Sequence, residues 1–288
     1  QIINFLIALF LLIKDLREII IKEEVQIIRA ESPHLNGIIA FILSFLTKRD
    51  FIVGVWGNPK VIRKHKGKPL LSKFFRKIWI EVAVEKFILN RAKYVMVQNQ
   101  DNRNFVLEYG IDLSKTVITR FGELLNKVHF TDPKERKEGK KLLKNIGVRN
   151  KNTILIIGSL IKERLHDHIL LAVRELKNQG FLADFIFCGN GPFKNDLVKI
   201  AKKYGISDQI IIVGNQNQEW LSRVIPEVTV IASLLSGRAL GEAALGGAAI
   251  VAYDLDWQSE LIQSGITGEL VPYSDWKALA RSIKKIVN

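Results

Sequence analysis

Three short segments in the second half of the chain carry residue types suited to anions and sugars. Ile156-Ile157-Gly158-Ser159-Leu160 runs an apolar stretch into a glycine, and Lys162-Glu163-Arg164 follows before a helical pattern. A strand, a glycine turn and a helix start leave free N–H groups and the positive end of a helix dipole facing outward, which suits an anion. Lys162 and Arg164 would add charge, and an arginine fork can hold two phosphate oxygens. Taken alone, both are more simply solvated loop cations. Phe187-Cys188-Gly189-Asn190-Gly191-Pro192 is a second strand end. Its glycines let backbone approach a flat ligand, or merely make a tight turn, and Pro192 suits a first helical position.

The third segment is Ser233–Glu242, whose small residues let a helix press its N-terminus against a sheet edge. Glu242 falls one turn inside that helix, placed to accept hydrogen bonds from sugar hydroxyls or else plainly solvated. His166 and His168, two apart, face different sides of a helix and make a poor metal pair. The single cysteine, Cys188, has no partner for an internal disulfide or a cysteine zinc site and fits a reducing compartment.

These segments need a scaffold, and the second half supplies one. Strands are expected at Thr153–Ile157, Ala183–Cys188, Gln209–Val213, Val228–Ile231, Ala249–Ala252 and Glu269–Val271. Helices fall near 167–179, 193–204, 217–224, 239–246, 257–263 and 275–287. Short apolar strands bounded by Gly and spaced by helices imply βαβ units, a parallel sheet and a doubly wound topology. Its ligand crevice lies beyond the carboxyl ends of the strands.

The first half repeats the pattern less completely. Strands are expected at Val25–Arg29, Phe51–Val55, Tyr94–Val97 and Thr116–Thr119, and helices near 3–23, 36–47, 70–91 and 101–109. Thr131–Lys151 reads as a helix plus linker, with a domain boundary near 125–150. The chain begins at Gln1, and its apolar opening run, Ile2–Ile13, is too short to span a bilayer and lacks signal-peptide flanks. A domain that opens on a helix lacks the usual first strand and glycine turn, so the N-terminal domain is expected to be incomplete, lacking its extreme N-terminus.

Composition narrows the class further. The 288 residues are 48% hydrophobic and 25% charged, which excludes disordered, collagen-like and coiled-coil chains. The net charge of +14 is uneven. Residues 1–150 carry 28 basic and 15 acidic side chains, residues 151–288 carry 15 and 14. The first half is therefore expected to meet something anionic. Lys60–Lys77 holds eight of those cations and no acid, interleaved with Phe74 and Phe75 and followed by Trp79. Such a stretch suits an anionic membrane surface, or is a solvated loop and amphipathic helix. No nucleic-acid motif is present, and no nucleic-acid partner is expected.

Taken together, the segments resemble the family 4 retaining glycosyltransferases of the GT-B fold (glycosyl transferases group 1). The resemblance runs through the Gly158 loop, Gly189-Asn190-Gly191-Pro192, Gly214, the Glu242-Ala243 helix and Glu260…Thr267-Gly268-Glu269-Leu270-Val271. Upstream, Glu85…Asn90-Arg91-Ala92-Lys93-Tyr94-Val95-Met96-Val97 looks like the segment closing the acceptor domain. The resemblance implies two doubly wound, Rossmann-like α/β domains facing a cleft. It implies a truncated acceptor-side domain over 1–145 and a nucleotide-sugar donor domain over 146–288.

The implied activity is hexosyltransferase-like transfer of a sugar from a nucleotide-sugar donor to a saccharide or lipid-linked acceptor, as in polysaccharide biosynthesis. Anomeric configuration is retained, and no cofactor and no metal are needed. The implied catalytic pair is Arg164 and Glu242, with Gly158, Ser159, Gly189, Asn190, Gly191, Gly237, Arg238, Ala239 and Glu242 around the donor. Glu242 resembles the donor-ribose ligand. Arg29, Glu31, His34 and Trp56 are the acceptor-side candidates, and Trp56-Gly57 stands where the family often has His-Gly. The pattern also departs from the family. Ser159 replaces an arginine after the loop glycine, Arg164 replaces a lysine, and the first of two glutamates eight positions apart falls on Leu234. Arg238 can compensate on the diphosphate. Those departures keep a second reading open, a catalytically impaired nucleotide-sugar-binding partner subunit. The expected location is cytoplasmic and peripheral on the inner face of the membrane.

Overall fold

A computed structural model describes residues 2–119, 138–235, 237–255 and 257–288. Two compact units divide the chain, Gln1–Arg120 and Phe121–Asn288.

In the first unit, helix α1 (Ile2–Lys22) leads into strand β1 (Ile27–Ala30), helix α2 (Leu35–Thr47) and strand β2 (Asp50–Val55). Helices α3 (Pro59–Lys66) and α4 (Ile78–Arg91) precede β3 (Tyr94–Val97), and α5 (Gln100–Glu108) precedes β4 (Thr116–Ile118). The sheet is wholly parallel in the order β1-β2-β3-β4, in register from Ala30 against Val53 through Val53 against Val95. Parallel strands bury both faces, so Phe51, Val53, Val95 and Val97 pack with Ile88, Leu89 and Phe105 into one core. Burying each such side chain contributes about 1.5–3 kcal/mol. No helix among the described residues is long and apolar enough to cross a membrane.

The apolar positions Leu70, Leu71, Phe74, Phe75 and Ile78 suggest one helix over 70–91, but the helix begins only at Ile78. The reason is Glu81. Its buried carboxylate accepts the N–H groups of Leu70 and Leu71 at 3.0 and 2.9 Å, which folds the preceding stretch back across the first turn of α4. The basic run instead supplies the separate helix α3, capped by the Asn58 side chain with Pro59 in its first turn.

In the second unit, α6 (Gly139–Asn145) is followed by β5 (Thr153–Ile157), α7 (His166–Asn178), β6 (Asp184–Cys188) and α8 (Lys194–Lys203). Then come β7 (Ile210–Gly214), α9 (Gln218–Val224), β8 (Val230–Ala232), α10 (Arg238–Leu245), β9 (Ile250–Tyr253), β10 (Gly268–Val271) and α11 (Trp276–Val287). A boundary at 145 would put α6 in the first domain, yet Leu143 is buried in the core of the second unit with Leu221, Val224 and Ile225. The rest of the expected helix and linker, 131–137, lies outside the described residues. The stretch expected as a helix over 257–263 forms only a 3-10 turn, Gln258–Glu260. Thr267 Oγ1 takes the Gln263 N–H at 2.8 Å, and Ser264 Oγ accepts the Leu270 N–H at 3.0 Å. Those bonds tie the segment to β10 rather than to a further helical turn.

The six strands are all parallel in the order β10-β9-β8-β5-β6-β7. Chain order therefore reverses between β5 and β8, and that switch point opens a crevice beyond the strands' carboxyl ends. The reversal occurs in this unit alone among the described residues. Phe185, Phe187 and Ile154, all fully buried, hold the sheet centre against α7 and α11.

Candidate functional site

At the carboxyl ends of β5, β6 and β7, three turns are laced together by main-chain bonds. Gly158 N–H donates to the Cys188 carbonyl at 3.0 Å, Leu160 N–H to Asn190 at 2.9 Å, and Gly189 N–H to Gly214 at 2.8 Å. The approach is so close that a Cβ on Gly189 would lie 1.9 Å from the Gly158 oxygen. One on Gly191 would lie 2.3 Å from the Leu160 oxygen. Gly158 and Gly189 have φ of 149° and 155°, values that favour glycine. The glycines of both motifs thus bring the turns together, and the turns form the floor of a cavity.

That cavity, about 380 Å³, is lined by Gly158, Ser159, Arg164, Cys188, Gly189, Asn215, Gln216, Gly237, Arg238, Ala239 and Glu242, with Ile157 and Leu221. It therefore gathers seven of the nine expected donor residues, together with Arg164. Asn190 and Gly191 lie outside its lining, and the Asn190 side chain instead accepts the Gly191 N–H at 3.0 Å. Asn215 and Gln216 carry no sequence signal beyond following Gly214 at the end of β7. Gln216 is held by its Nε2, which donates to the Val213 carbonyl at 2.9 Å.

Arg164 closes a 3-10 turn, Lys162–Arg164, and the next residue, Leu165, adopts a left-handed φ of 56°. Such a conformation costs a non-glycine residue about 1–2 kcal/mol, so packing must hold the turn in place. The guanidinium is half-buried without an ion pair among the described residues, and burial lowers its pKa. A desolvated, uncompensated cation on a cavity wall favours an incoming anion. Beside it, His166 is buried and its Nε2 lies 3.0 Å from the Ser159 carbonyl. That geometry makes Nε2 the protonated nitrogen, and burial lowers the ring's pKa. His168 turns the other way, with Nδ1 2.7 Å from the Tyr253 hydroxyl, so the two histidines share no ligand position.

Helix α10 aims its N-terminus at the cavity. Arg238 is its first residue, and Glu242 lies one turn on. Arg238 Nε lies 3.2 Å from Glu242 Oε1, but the pair is misaligned and that buried oxygen has no hydrogen-bond partner among the described residues. Burial raises the Glu242 pKa, and the Arg238 charge opposes the rise. A buried carboxylate with an oxygen free and a cation at its side is arranged to receive hydroxyl donors. Cys188 also lines the wall, its thiol pushed up to about 12 by burial, which leaves it unreactive at neutral pH. Leu234, where the resemblance puts a first glutamate, points into the apolar core, and its carbonyl accepts the Gln258 side chain at 3.1 Å.

The first unit separates its four candidates into two groups. Arg29, Glu31 and Trp56 come together at the carboxyl ends of β1 and β2. Trp56 Nε1 donates to Glu31 Oε2 at 2.8 Å, Arg29 Nε lies 2.9 Å from Glu31 Oε1, and the Arg29 guanidinium sits 5.6 Å from the indole centroid. The ring lies back over Gly54, where a Cβ would be 2.5 Å from it. Trp56 is thus a fixed, partly exposed aromatic plate.

His34 is not part of that group. It is 7% exposed, and its Nε2 lies 2.7 Å from Glu85 Oε1. Arg63 Nη1 is 2.5 Å from the same oxygen and 3.3 Å from Glu81 Oε2, while the Tyr109 hydroxyl donates to Glu85 Oε2 at 2.9 Å. His34, Glu81 and Glu85 have the donor atoms of a metal site, but the Arg63 guanidinium already supplies the positive charge among them. Hydrogen bonds and charge from His34 and Arg63 outweigh burial and hold the Glu85 pKa below its ordinary value. His34 therefore does not join the acceptor-side candidates; it is a buried brace between the start of α2 and α4.

The family model for "Glycosyl transferases group 1" matches residues 140–288, the part of the chain that carries this cavity. Alpha-D-kanosaminyltransferase of Streptomyces kanamyceticus is 24% identical over 163 residues, covering 55% of this chain and 42% of its own length. The chain thus spans less than half of that relative. HepE of Anabaena, in complex with UDP-glucose, superposes with a TM-score of 0.76 at 18% identity over 96% of this chain and 72% of its own. Sucrose-phosphate synthase of Thermosynechococcus elongatus gives 0.79 at 17% identity over 96% and 68%. At these identities the structures speak for the GT-B fold. With the match extending over more than half of its residues, the chain belongs to the glycosyl transferases group 1 family.

Proposed function

We propose that this protein moves a sugar from a nucleotide-sugar donor, bound in the second unit's cavity, to a saccharide or lipid-linked acceptor. The observation that carries the reading is the pairing of opposite needs on one cavity wall. Among the described residues the Arg164 cation has no counter-ion, and the buried Glu242 carboxylate has an unbonded oxygen. A nucleoside diphosphate satisfies both, its phosphates meeting Arg164 and its ribose hydroxyls donating to Glu242.

The chemistry follows from charge. As the glycosidic bond breaks, negative charge grows on the departing diphosphate, and groups already aimed there lower the barrier. Arg164, Arg238 and the N–H groups opening α10 are placed to do this, with no metal required. Retention is the stereochemistry we assign, following the resemblance to family 4. In a retaining mechanism of this kind the leaving phosphate itself takes the acceptor's proton as the acceptor oxygen bonds to the anomeric carbon. In the first unit, Trp56, braced by Arg29 and Glu31, offers a face for an acceptor ring. We assign the reaction to the cytoplasmic, anionic face of a membrane, a reading supported by the excess of basic residues in the first half of the chain.

A second reading, a nucleotide-sugar-binding subunit without turnover, is favoured by Leu234 in the core and by Ser159 in place of a loop cation. A thermal-shift panel of nucleotide sugars on the full-length protein, followed by turnover with the best donor, separates the two. Stabilisation with transfer or donor hydrolysis supports the enzyme, and stabilisation without either supports the subunit. Absence of any donor-induced shift would contradict both.

A further inference from the structure

Six cations run from the middle of α3 to the residue before α4. Lys64, Lys66, Lys68, Lys73, Arg76 and Lys77 are all exposed, and none has an ion pair among the described residues. The two other basic residues of the run are engaged, Lys60 with Glu108 at 2.7 Å and Arg63 in the buried cluster. Large apolar side chains stand exposed in the same stretch: Phe74 at 49%, Ile78 at 38% and Trp79 at 66%.

The segment is also held in shape rather than loosely tethered. Arg63 fixes its leading helix to Glu85 through two bonds of 2.5 and 3.0 Å. Glu81 pins its middle through the Leu70 and Leu71 N–H groups. Phe74 packs on Phe5 of α1 with ring centroids 5.5 Å apart. The buried cluster therefore presents the cations and the aromatics as one preformed surface.

We propose that residues 64–79 dock the first unit onto an anionic lipid surface, the cations meeting headgroups and Trp79 and Ile78 entering the interface. This names the element behind the membrane placement and rests on that part of the functional reading. Charge complementarity argues for a polyanion, and the exposed aliphatic and aromatic groups argue for lipid. A nucleic acid would match the cations but leave Ile78 in water.

The test is sedimentation of the full-length protein with phosphatidylcholine vesicles, with and without phosphatidylglycerol. Binding is expected only with the anionic lipid, with a blue shift in indole emission that Trp79→Phe abolishes. Lys66→Glu/Lys68→Glu/Lys73→Glu changes exposed side chains only and should weaken binding at least about a hundredfold, from about fivefold per cation. Hydrogen exchange should find the Leu70 and Leu71 amides protected in the free protein. Binding indifferent to the charge reversal, single-stranded DNA held as tightly as vesicles, or unprotected amides would overturn the proposal. Donor-induced thermal shifts in the same samples report the second unit separately, so loss of docking with donor binding intact condemns this inference and not the transferase reading.

Discussion

Arg238 Nε and Glu242 Oε1 stand 3.2 Å apart on one turn of α10, near enough for attraction yet too poorly aligned for a hydrogen bond. The carboxylate is 3% exposed, so the free protein keeps a costly group at the mouth of a helix N-terminus. If that cost serves donor recognition, as proposed above, binding and folding should respond separately to its removal.

Glu242→Gln should act in opposite directions on the two. Removing a buried charge stabilises the free protein, while loss of a charged acceptor weakens donor binding by about 10- to 100-fold, from about 1.5–3 kcal/mol. Thermal melts with and without nucleotide sugar measure both. A mutant that melts lower in the free form and binds donor normally would contradict the assignment.

The pH dependence follows from the raised Glu242 pKa. A folded-state pKa above the unfolded one adds stability below the unfolded value, and that contribution is lost as pH rises through the folded value. Donor binding runs the other way, since protonation removes the acceptor. Donor affinity should therefore fall on acidification at a pH above the ordinary carboxylate range, and titrations across that range on wild type and Glu242→Gln check it. The mutant should lack the inflection.

Gly189→Ala tests the laced turns. Its Cβ would meet the Gly158 carbonyl at 1.9 Å, a side-chain carbon against main chain that cannot swing aside. The expected cost is about 2–3 kcal/mol, visible as a drop of roughly 5–10 °C in thermal unfolding. Donor affinity should fall with it, because the same turns floor the cavity.

The first unit's buried cluster makes a prediction about charge. Arg63→Ala leaves Glu81 and Glu85 buried together without their cation and should cost about 3–5 kcal/mol. Adding Glu85→Gln should recover part of that loss, which a double-mutant cycle by denaturant unfolding would register. In the wild type the depressed Glu85 pKa contributes stability above the unfolded value of about 4.5 that is lost as pH falls through the folded one.

The second unit was legible because its signals are local. Each strand is an apolar run ending in Gly or a polar turn, and β5 over Thr153–Ile157 starts and stops where the residues change character. The first unit hid more because its organising contacts are distant in sequence. His34 looks like a cleft ligand until Glu85, 51 residues away, is seen to hold it. The helix expected over 70–91 fails for a similar reason, since helical spacing of apolar residues cannot reveal a carboxylate that captures the preceding main chain. Asn215 and Gln216 reach the cavity only because β7 ends beside β6, a consequence of strand order that no short motif encodes. The Trp56 plate depends on Gly54 making room and on Arg29 and Glu31 arriving from another strand.

Arg164 is where the account is most exposed. Isothermal titration of a nucleoside diphosphate into the full-length protein and into Arg164→Ala measures whether this half-buried guanidinium binds the diphosphate. The expected result is one site in the wild type, weakened by at least about tenfold in Arg164→Ala, with the free protein no less stable for losing a desolvated cation. Equal affinity in both proteins, or no binding by the wild type, would contradict it.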